Sequence, residues 1–368
     1  MGSDVYFANL RAGSVRENKT SKVGKLFRRA GFDSIISGRD LTAVKVHFGE
    51  KGGDAFVNPI YVREVVDRLK SAGAKPFITD SNTLYAGSRH NSVDHLETAI
   101  SHGFVHSVVG APLIISDGLK GKNMVKVEID GKYFKEVRIS GDVHHSDSLI
   151  ALSHFKGHGM AGFGGAIKNI AMGGATALGK MDQHSARPEV NKSKCIGCGN
   201  CLDICPVDAP EIEGGKSVIV KERCIGCGEC LTVCPADAIG IDWDTELDPF
   251  IERMVEYAKG TLKGKDGRAG FMNFLLNVTP DCDCFPWSDA PIVPDIGILA
   301  SKDPVAIDMA SLDLVNEQRG FETSKLKTNL DPGEDKFLGL GFKHNGIGQL
   351  EYGEEIGLGS RDYDLREI

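Results

Sequence analysis

Ten cysteines are the residues of this chain whose spacing speaks most directly of chemistry, and eight of them form two copies of one pattern. Cys195, Cys198, Cys201 and Cys205 are followed by Pro206; Cys224, Cys227, Cys230 and Cys234 are followed by Pro235. Each copy reads C-x-x-C-x-x-C-x-x-x-C-P, and each cysteine of the second copy lies 29 residues after its counterpart. Three thiolates two residues apart can wrap one face of an iron–sulfur cube, while the fourth lies too far along its own turn and ligates the neighbouring cluster. That crossing assigns one [4Fe–4S] cluster to Cys195, Cys198, Cys201 and Cys234, and the other to Cys224, Cys227, Cys230 and Cys205. Structural zinc has no use for a third cysteine at this spacing. Disulfides are not expected in a chain without a secretory signal.

The glycines agree. Gly197, Gly199, Gly226 and Gly228 stand between ligands, where a chain folding tightly around a cluster needs positive φ or close backbone approach. Backbone N–H groups there can donate to sulfur and tune the potential. Residues 188–244 therefore read as a bacterial-type two-cluster ferredoxin module of α+β form.

A second set of candidates lies outside that module. Lys45, His47, Gly49 and Glu50 follow or end a strand-like run, Thr42–His47. After another apolar run, Ser148–Ser153, comes His154-Phe-Lys156-Gly157-His158-Gly159-Met-Ala-Gly162-Phe-Gly164-Gly165-Ala-Ile-Lys168-Asn169. Gly157, Gly159 and Gly162 satisfy G-x-G-x-x-G, but no second strand ending in an acid follows, and Lys168 precedes Asn rather than Ser or Thr. Neither a dinucleotide fold nor a Walker loop is indicated. A glycine-rich turn at the carboxyl end of a strand is nonetheless where open α/β sheets bind ligands, and an anion could rest against its N–H groups. We assign catalytic roles to Lys45, His47, His158 and Lys168, and cofactor or anion contacts to Lys156, Gly162, Gly164, Gly165 and Asn169. His144-His145, in a loop-like context, is expected to face solvent.

The remaining cysteines, Cys282 and Cys284, stand one residue apart in Thr-Pro-Asp-Cys-Asp-Cys-Phe-Pro-Trp. They are candidate ligands of an additional metal, a redox dithiol, or two buried thiols near a strand end. In an extended chain the two cysteine side chains, either side of Asp283, are poorly suited to a strain-free disulfide, although both could reach one metal.

These residues need elements to hold them. The first 150 residues alternate strand and helix patterns: strands at Val5–Ala8, Thr42–His47, Lys75–Thr79 and Pro112–Ser116, and helices at Thr20–Ala30, from Asn58-Pro59 to Lys70, and at Val93–His102. Asn58 and Pro59 make an N-cap with proline at the first helical position. Met124–Ile129 and Tyr133–Ile139 form a hairpin around Asp130-Gly131. Beyond the cysteine module, Asp248-Pro249 opens a helix to Leu262, Gly270–Val278 and Ile296–Ala300 read as strands, and Asp303-Pro304 caps a helix to Glu317 that carries Asp308 inside it. From Phe337 onward the glycine-rich chain gives no firm pattern. Such alternation implies a largely parallel sheet covered on both faces. The expected organisation is one discontinuous α/β domain, residues 1–187 and 245–368, interrupted by the ferredoxin module. In a parallel sheet the ends of Thr42–His47 and Ser148–Ser153 point the same way, so His47, His154, Lys156, His158 and Lys168 would share one crevice.

Composition narrows the class. At 368 residues, 41% hydrophobic and 26% charged with net charge −8, the chain is an ordinary globular protein with no basic stripe for nucleic acid. No stretch reads as a membrane span or signal peptide, so an anaerobic cytoplasm is the expected setting.

The motifs Val-Lys45-Val-His47-Phe-Gly-Glu, Ser-His154-Phe-Lys156-Gly-His158, Gly-Gly-Ala-Ile-Lys168-Asn169, Thr-Pro-Asp-Cys282-Asp-Cys284 and Pro294-Asp295-Ile-Gly-Ile-Leu-Ala-Ser-Lys-Asp303-Pro-Val-Ala-Ile-Asp308 resemble the domain of unknown function 362 family. Its members often carry a fused or inserted two-cluster ferredoxin, so the resemblance implies that architecture and iron–sulfur redox chemistry over almost the whole chain. The expected function is an iron–sulfur oxidoreductase whose two clusters relay electrons to or from a small anionic substrate on the α/β domain. Its other partner would be a redox protein, with no nucleic acid or membrane involved. A non-catalytic electron carrier and a non-redox enzyme with structural clusters are the alternatives.

Overall fold

The computed structural model describes residues 2–85, 87–185, 187–205, 207–224, 229–242 and 247–368. The chain opens with β1 (Ser3–Asn9) and α1 (Lys19–Arg29), whose N-cap Asn18 accepts from the Ser21 N–H. Then come β2 (Leu41–Val46), α2 (Pro59–Ser71), β3 (Lys75–Asp80) and α3 (Ser92–Ser101). Asn58 caps α2 with Pro59 at its start, as the Asn-Pro pair requires. A one-turn α4 (His106–Val109) leads to β4 (Leu113–Ile115). The hairpin of β5 (Met124–Glu128) and β6 (Glu136–Ser140) follows, pairing Val127 with Val137. His144 and His145 end a short α5 (Gly141–His145) rather than lying in a loop, and His145 is exposed while His144 is half-buried.

β7 (Ser148–His154) is buried throughout. The glycine-rich stretch after it is a tight two-stranded ladder, β8 (Lys156–His158) against β9 (Gly162–Gly164), which runs into α6 (Ala166–Gly174) and α7 (Ala177–His184). Next come β10 (Arg187–Val190), α8 (Asn200–Asp203), β11 (Pro210–Glu213), β12 (Lys216–Ile219), α9 (Glu229–Val233) and β13 (Ile239–Asp242). Within this stretch β10 pairs antiparallel with β13, and β11 with β12. The chain then returns through α10 (Leu247–Leu262), β14 (Ala269–Leu275), β15 (Gly297–Ser301) and α11 (Pro304–Asn316).

The last segment forms α12 (Lys336–Gly339), α13 (Ile347–Glu355) and β16 (Tyr363–Glu367). Two glycines inside α13 lower its intrinsic helicity, so no periodic signal marks it. Leu350 and Tyr352 hold it by burial, and the Tyr352 hydroxyl donates to Glu256 Oε1 at 2.7 Å.

One eight-stranded sheet, ordered β16-β1-β15-β14-β7-β2-β3-β4, draws strands from both sides of the cysteine-rich segment. Among the described residues only β15 runs against the others, so the sheet is mostly parallel. Successive residues of β7 feed opposite cores. Leu149 and Ala151 join α6, α10, α11 and α13 on one face; Ile150 and Leu152 join α1 and α2 on the other. A strand buried on both faces explains why Ser-Leu-Ile-Ala-Leu-Ser reads as a continuous apolar run. From β2 the chain adds β3 and β4 on one side and later β7 and β14 on the other. The strand order therefore reverses at β2/β7, the switch point where open α/β sheets leave a crevice.

Candidate functional site

That crevice is a cavity of about 820 Å³ at the carboxyl ends of neighbouring parallel strands, a volume suited to a small ligand. Lys45, His47, Lys156, His158, Lys168, Asn169 and Cys284 all line it. Four separated stretches of sequence thus meet in one place. Lys45 lies in β2 and His47 just beyond it; Lys156 and His158 follow β7; Lys168 and Asn169 project from α6; Cys284 follows β14.

The wall is a chain of buried ion pairs. Lys45, 1% exposed, places Nζ 3.1 Å from Asp80 Oδ1 and donates to Asn169 Oδ1 at 2.7 Å. Asn169 Nδ2 in turn donates to the Leu152 carbonyl and Ser153 Oγ, tying α6 to β7. Asp80, the last residue of β3, also faces Arg89 at 3.6 Å, and Arg89 Nε pairs with Glu50 Oε2 at 3.1 Å. Burial alone would raise the Asp80 carboxyl, but the charges of Lys45 and Arg89 hold it well below the usual range. Asp283 is held low in the same way: burial opposes ionisation, and His154 at 2.8 Å and Lys156 at 3.0 Å outweigh it. Lys180, in α7, donates to Ser81 Oγ and the Asn82 carbonyl, both at 2.6 Å, and burial brings its pKa down to about 8.

The two cysteines sit in a turn closed by the Phe285 N–H and the Cys282 carbonyl at 3.0 Å. The turn replaces the extended C-x-C of the sequence reading and sets the two thiols close enough to shift each other's pKa. Lys168 Nζ donates to Cys282 Sγ at 3.0 Å. His158 Nδ1 accepts the Ala161 N–H at 3.1 Å, which leaves Nε2–H to face Cys282. The hydrogen bond from Cys284, opposed by burial and reinforced by Lys168 and His158, pulls the Cys282 thiol well down; the same bond pushes Cys284 up. The described residues hold no set of three His, Cys, Asp or Glu at single-ion spacing, so the pair gains no third ligand among them.

Gly162, Gly164 and Gly165 do not line the cavity. A side chain at Gly162 would meet the Asn345–Gly346 backbone, and one at Gly165 would meet Asp308. The α6 N-terminus, where an external anion was expected, is filled by the protein itself. Asp308, fully buried, accepts from the Ala166 and Ile167 N–H groups at 2.7 and 2.9 Å, and burial raises its pKa to about 6. These glycines serve close packing.

The cysteine-rich segment brings one of its expected ligand sets to a single pocket. Cys195, Cys198, Cys201 and Cys234 line one small pocket, the four residues that crossed ligation brings together. The Ser217 N–H donates to Cys195 Sγ at 3.3 Å and the Ala238 N–H to Cys234 Sγ at 3.2 Å. At the repeat-equivalent position, the Ala209 N–H donates to Cys205 Sγ at 3.3 Å. Cys227 lies outside the described residues, as do Pro206, Gly226 and Gly228, so the set of Cys224, Cys227, Cys230 and Cys205 is described for three of its members. Leu231, beside Cys230, packs on Met181 and Leu84, and Leu84 lines the cavity.

A match to the family described as Domain of unknown function (DUF362) spans residues 42–313. The chain belongs to the DUF362 family. In this DUF362 protein the matched region contains every residue of the cavity wall. The chain is also 55% identical over 29 residues to Ferredoxin-2 of Desulfomicrobium norvegicum; that match takes in 8% of this chain and 49% of the ferredoxin, about half its length. Among solved structures, the lactate racemase apoprotein of Thermoanaerobacterium thermosaccharolyticum aligns at 15% identity and TM-score 0.37, covering 69% of this chain and 49% of that one. A Thermotoga maritima protein aligns at 9% identity and TM-score 0.36, covering 71% and 50%. No helix among the described residues is long and apolar enough to cross a membrane.

Buried histidines give this DUF362 protein a characteristic acid response. Burial first, then neighbouring cations, brings His95 and His184 down to about 3, and lowers His47 and His158 too. Below about pH 6.5 the unfolded chain binds protons that the folded chain refuses, so stability should fall as pH falls, by about 1.4 kcal/mol per pH unit for each such histidine. Denaturant midpoints followed between pH 7 and 5 should show this slope, and His184→Gln should reduce it by one histidine's share. An unchanged slope would mean that His184 is already charged in the fold.

Proposed function

We propose that this protein is an iron–sulfur oxidoreductase in which electrons pass between two clusters and a small anionic substrate bound in the cavity of the α/β domain. Two [4Fe–4S] clusters, held by Cys195, Cys198, Cys201 and Cys234 and by Cys224, Cys227, Cys230 and Cys205, would supply one-electron transfer at low potential, about −400 mV being typical of ferredoxins. The observation that carries the reading is the convergence of Lys45, Lys156, Lys168 and Lys180 on one cavity. Leu231, next to a cluster cysteine, shares a hydrophobic contact with the cavity residue Leu84. A carrier has no use for such a chamber.

The lysines would bind and orient the anion, and their pairing with Asp80 and Asp283 fixes where each ammonium points. His47 is kept neutral by burial, its Nδ1 accepting the Gly49 N–H at 3.0 Å, so Nε2–H is left to donate a hydrogen bond to the substrate.

The test starts from protein purified anaerobically and assayed for iron, acid-labile sulfide and the EPR signal of its reduced clusters. After bleaching with dithionite, the visible absorption should recover when a small carboxylate or phosphate-bearing acceptor from a defined panel is added. Lys168→Met should abolish that recovery while reduction by dithionite proceeds as before. Equal recovery in the variant would leave the large domain as a docking body only.

A further inference from the structure

We infer that Cys282 and Cys284 form a redox-active dithiol–disulfide couple, the two-electron end of the cavity, which exchanges with small acidic thiols and disulfides. The inference rests on the reading above and names the chemistry of that same site.

Geometry is the first support. An extended i, i+2 pair has its Cα atoms about 6.8 Å apart, at the outer limit for a disulfide. The turn closed from the Phe285 N–H to the Cys282 carbonyl folds the chain at the two cysteines out of that extended form. Position is the second. Cys284 lines the cavity, whereas Cys282 is 2% exposed behind it. That is the layout of an attacking sulfur and a resolving one. Stabilisation is the third: Lys168 Nζ at 3.0 Å and the His158 ring both donate toward Cys282 and would favour its leaving or attacking as thiolate. Finally, a dithiol trades two electrons, the sum of one from each of two one-electron clusters.

The chemistry balances. Cys284 passes its proton to the neighbouring Cys282 thiolate, its Sγ attacks one sulfur of a disulfide R–S–S–R, the S–S bond breaks, and one R–S⁻ leaves to solvent. Cys282 Sγ then attacks Cys284 Sγ in the mixed disulfide, releasing the second R–SH and forming the Cys282–Cys284 bond. The reverse half is reductive: that bond takes two electrons, supplied one at a time by a low-potential one-electron donor, and one proton to restore the Cys282 thiolate and the Cys284 thiol. The lysines of the cavity select an R group that carries carboxylates.

Glutathione, a thiol bearing two carboxylates, is the probe. The cluster-loaded protein is equilibrated anaerobically in buffers of reduced and oxidised glutathione, quenched in acid, alkylated and digested. The peptide with Cys282 and Cys284 should pass in concert from two alkyl groups to none, with the loss of two hydrogens, as the buffer becomes oxidising. Cys282→Ser should instead trap a glutathione adduct on Cys284. Two thiols that stay alkylatable across the whole range would overturn the inference. So would metal in excess of the cluster iron that disappears in Cys282→Ser. EPR of the dithionite-reduced clusters in the same samples separates the two failures. Intact signals with an inert pair sink only the dithiol, whereas absent signals sink the relay.

Discussion

Asp283→Ala is expected to lower the unfolding free energy by about 3–5 kcal/mol, the cost of breaking a buried ion pair from one side. The carboxylate lies between His154 Nδ1 at 2.8 Å and Lys156 Nζ at 3.0 Å, and all three side chains are nearly inaccessible. Removing it strands the Lys156 ammonium, which keeps only the His154 carbonyl at 2.9 Å. The backbone bond is kept, because alanine retains the carbonyl that accepts the Glu50 N–H at 3.0 Å and clips the loop after β2 to the Cys282–Phe285 turn. Denaturant unfolding followed by circular dichroism would measure the loss. Lys156→Met in the same chain should recover part of it, because the second substitution removes the stranded charge. A loss below about 1 kcal/mol, or no recovery in the double variant, would mean that water already reaches Lys156 and that the cavity wall is softer than its burial implies.

Much of this site was legible in the sequence, for a reason particular to parallel sheets. Once the alternating pattern fixes strands that run the same way, every residue just past a strand falls on one edge. His47, Lys156 and His158 could therefore be placed together without any contact being known. By the same logic Asp80 was available too: it ends the third strand, yet Asp-Ser-Asn-Thr looks like an ordinary turn. Arg89, Lys180 and His184 gave no such signal. They reach the cavity from a loop and a helix end, and only packing decides which way those point.

The glycines misled for the opposite reason. Glycine allows a phosphate to approach, but it equally allows another backbone to approach. Here Gly162 meets Gly346, while Asp308 sits where an external anion could have gone. An anion-binding helix terminus and one capped by the protein's own carboxylate have the same local sequence. The partner, Asp308, is 142 residues away. The last segment was illegible because α13 is stabilised by Leu350 and Tyr352 in the core rather than by propensity. Its edge strand β16 finds its partner at the opposite end of the chain, in β1.

Cys234→Ala should cost the protein about half its iron, and the way it does so tests the ligand crossing. Cys234 belongs to the second sequence copy, yet it lines a pocket with Cys195, Cys198 and Cys201 of the first. If that pocket holds a cluster, its loss frees the three cysteines of the first copy. Under native anaerobic alkylation Cys195, Cys198 and Cys201 should become reactive, while Cys224, Cys227, Cys230 and Cys205 stay protected. Cys205→Ala should give the mirror image, because the Ala209 N–H to Cys205 bond repeats the Ala238 N–H to Cys234 bond one copy earlier. Reactivity of Cys224, Cys227 and Cys230 in Cys234→Ala would instead mean that each copy closes on its own cluster. The shared pocket would then be a packing defect between two independent sites, and Leu231 would touch the cavity from a cluster ligated entirely within the second copy.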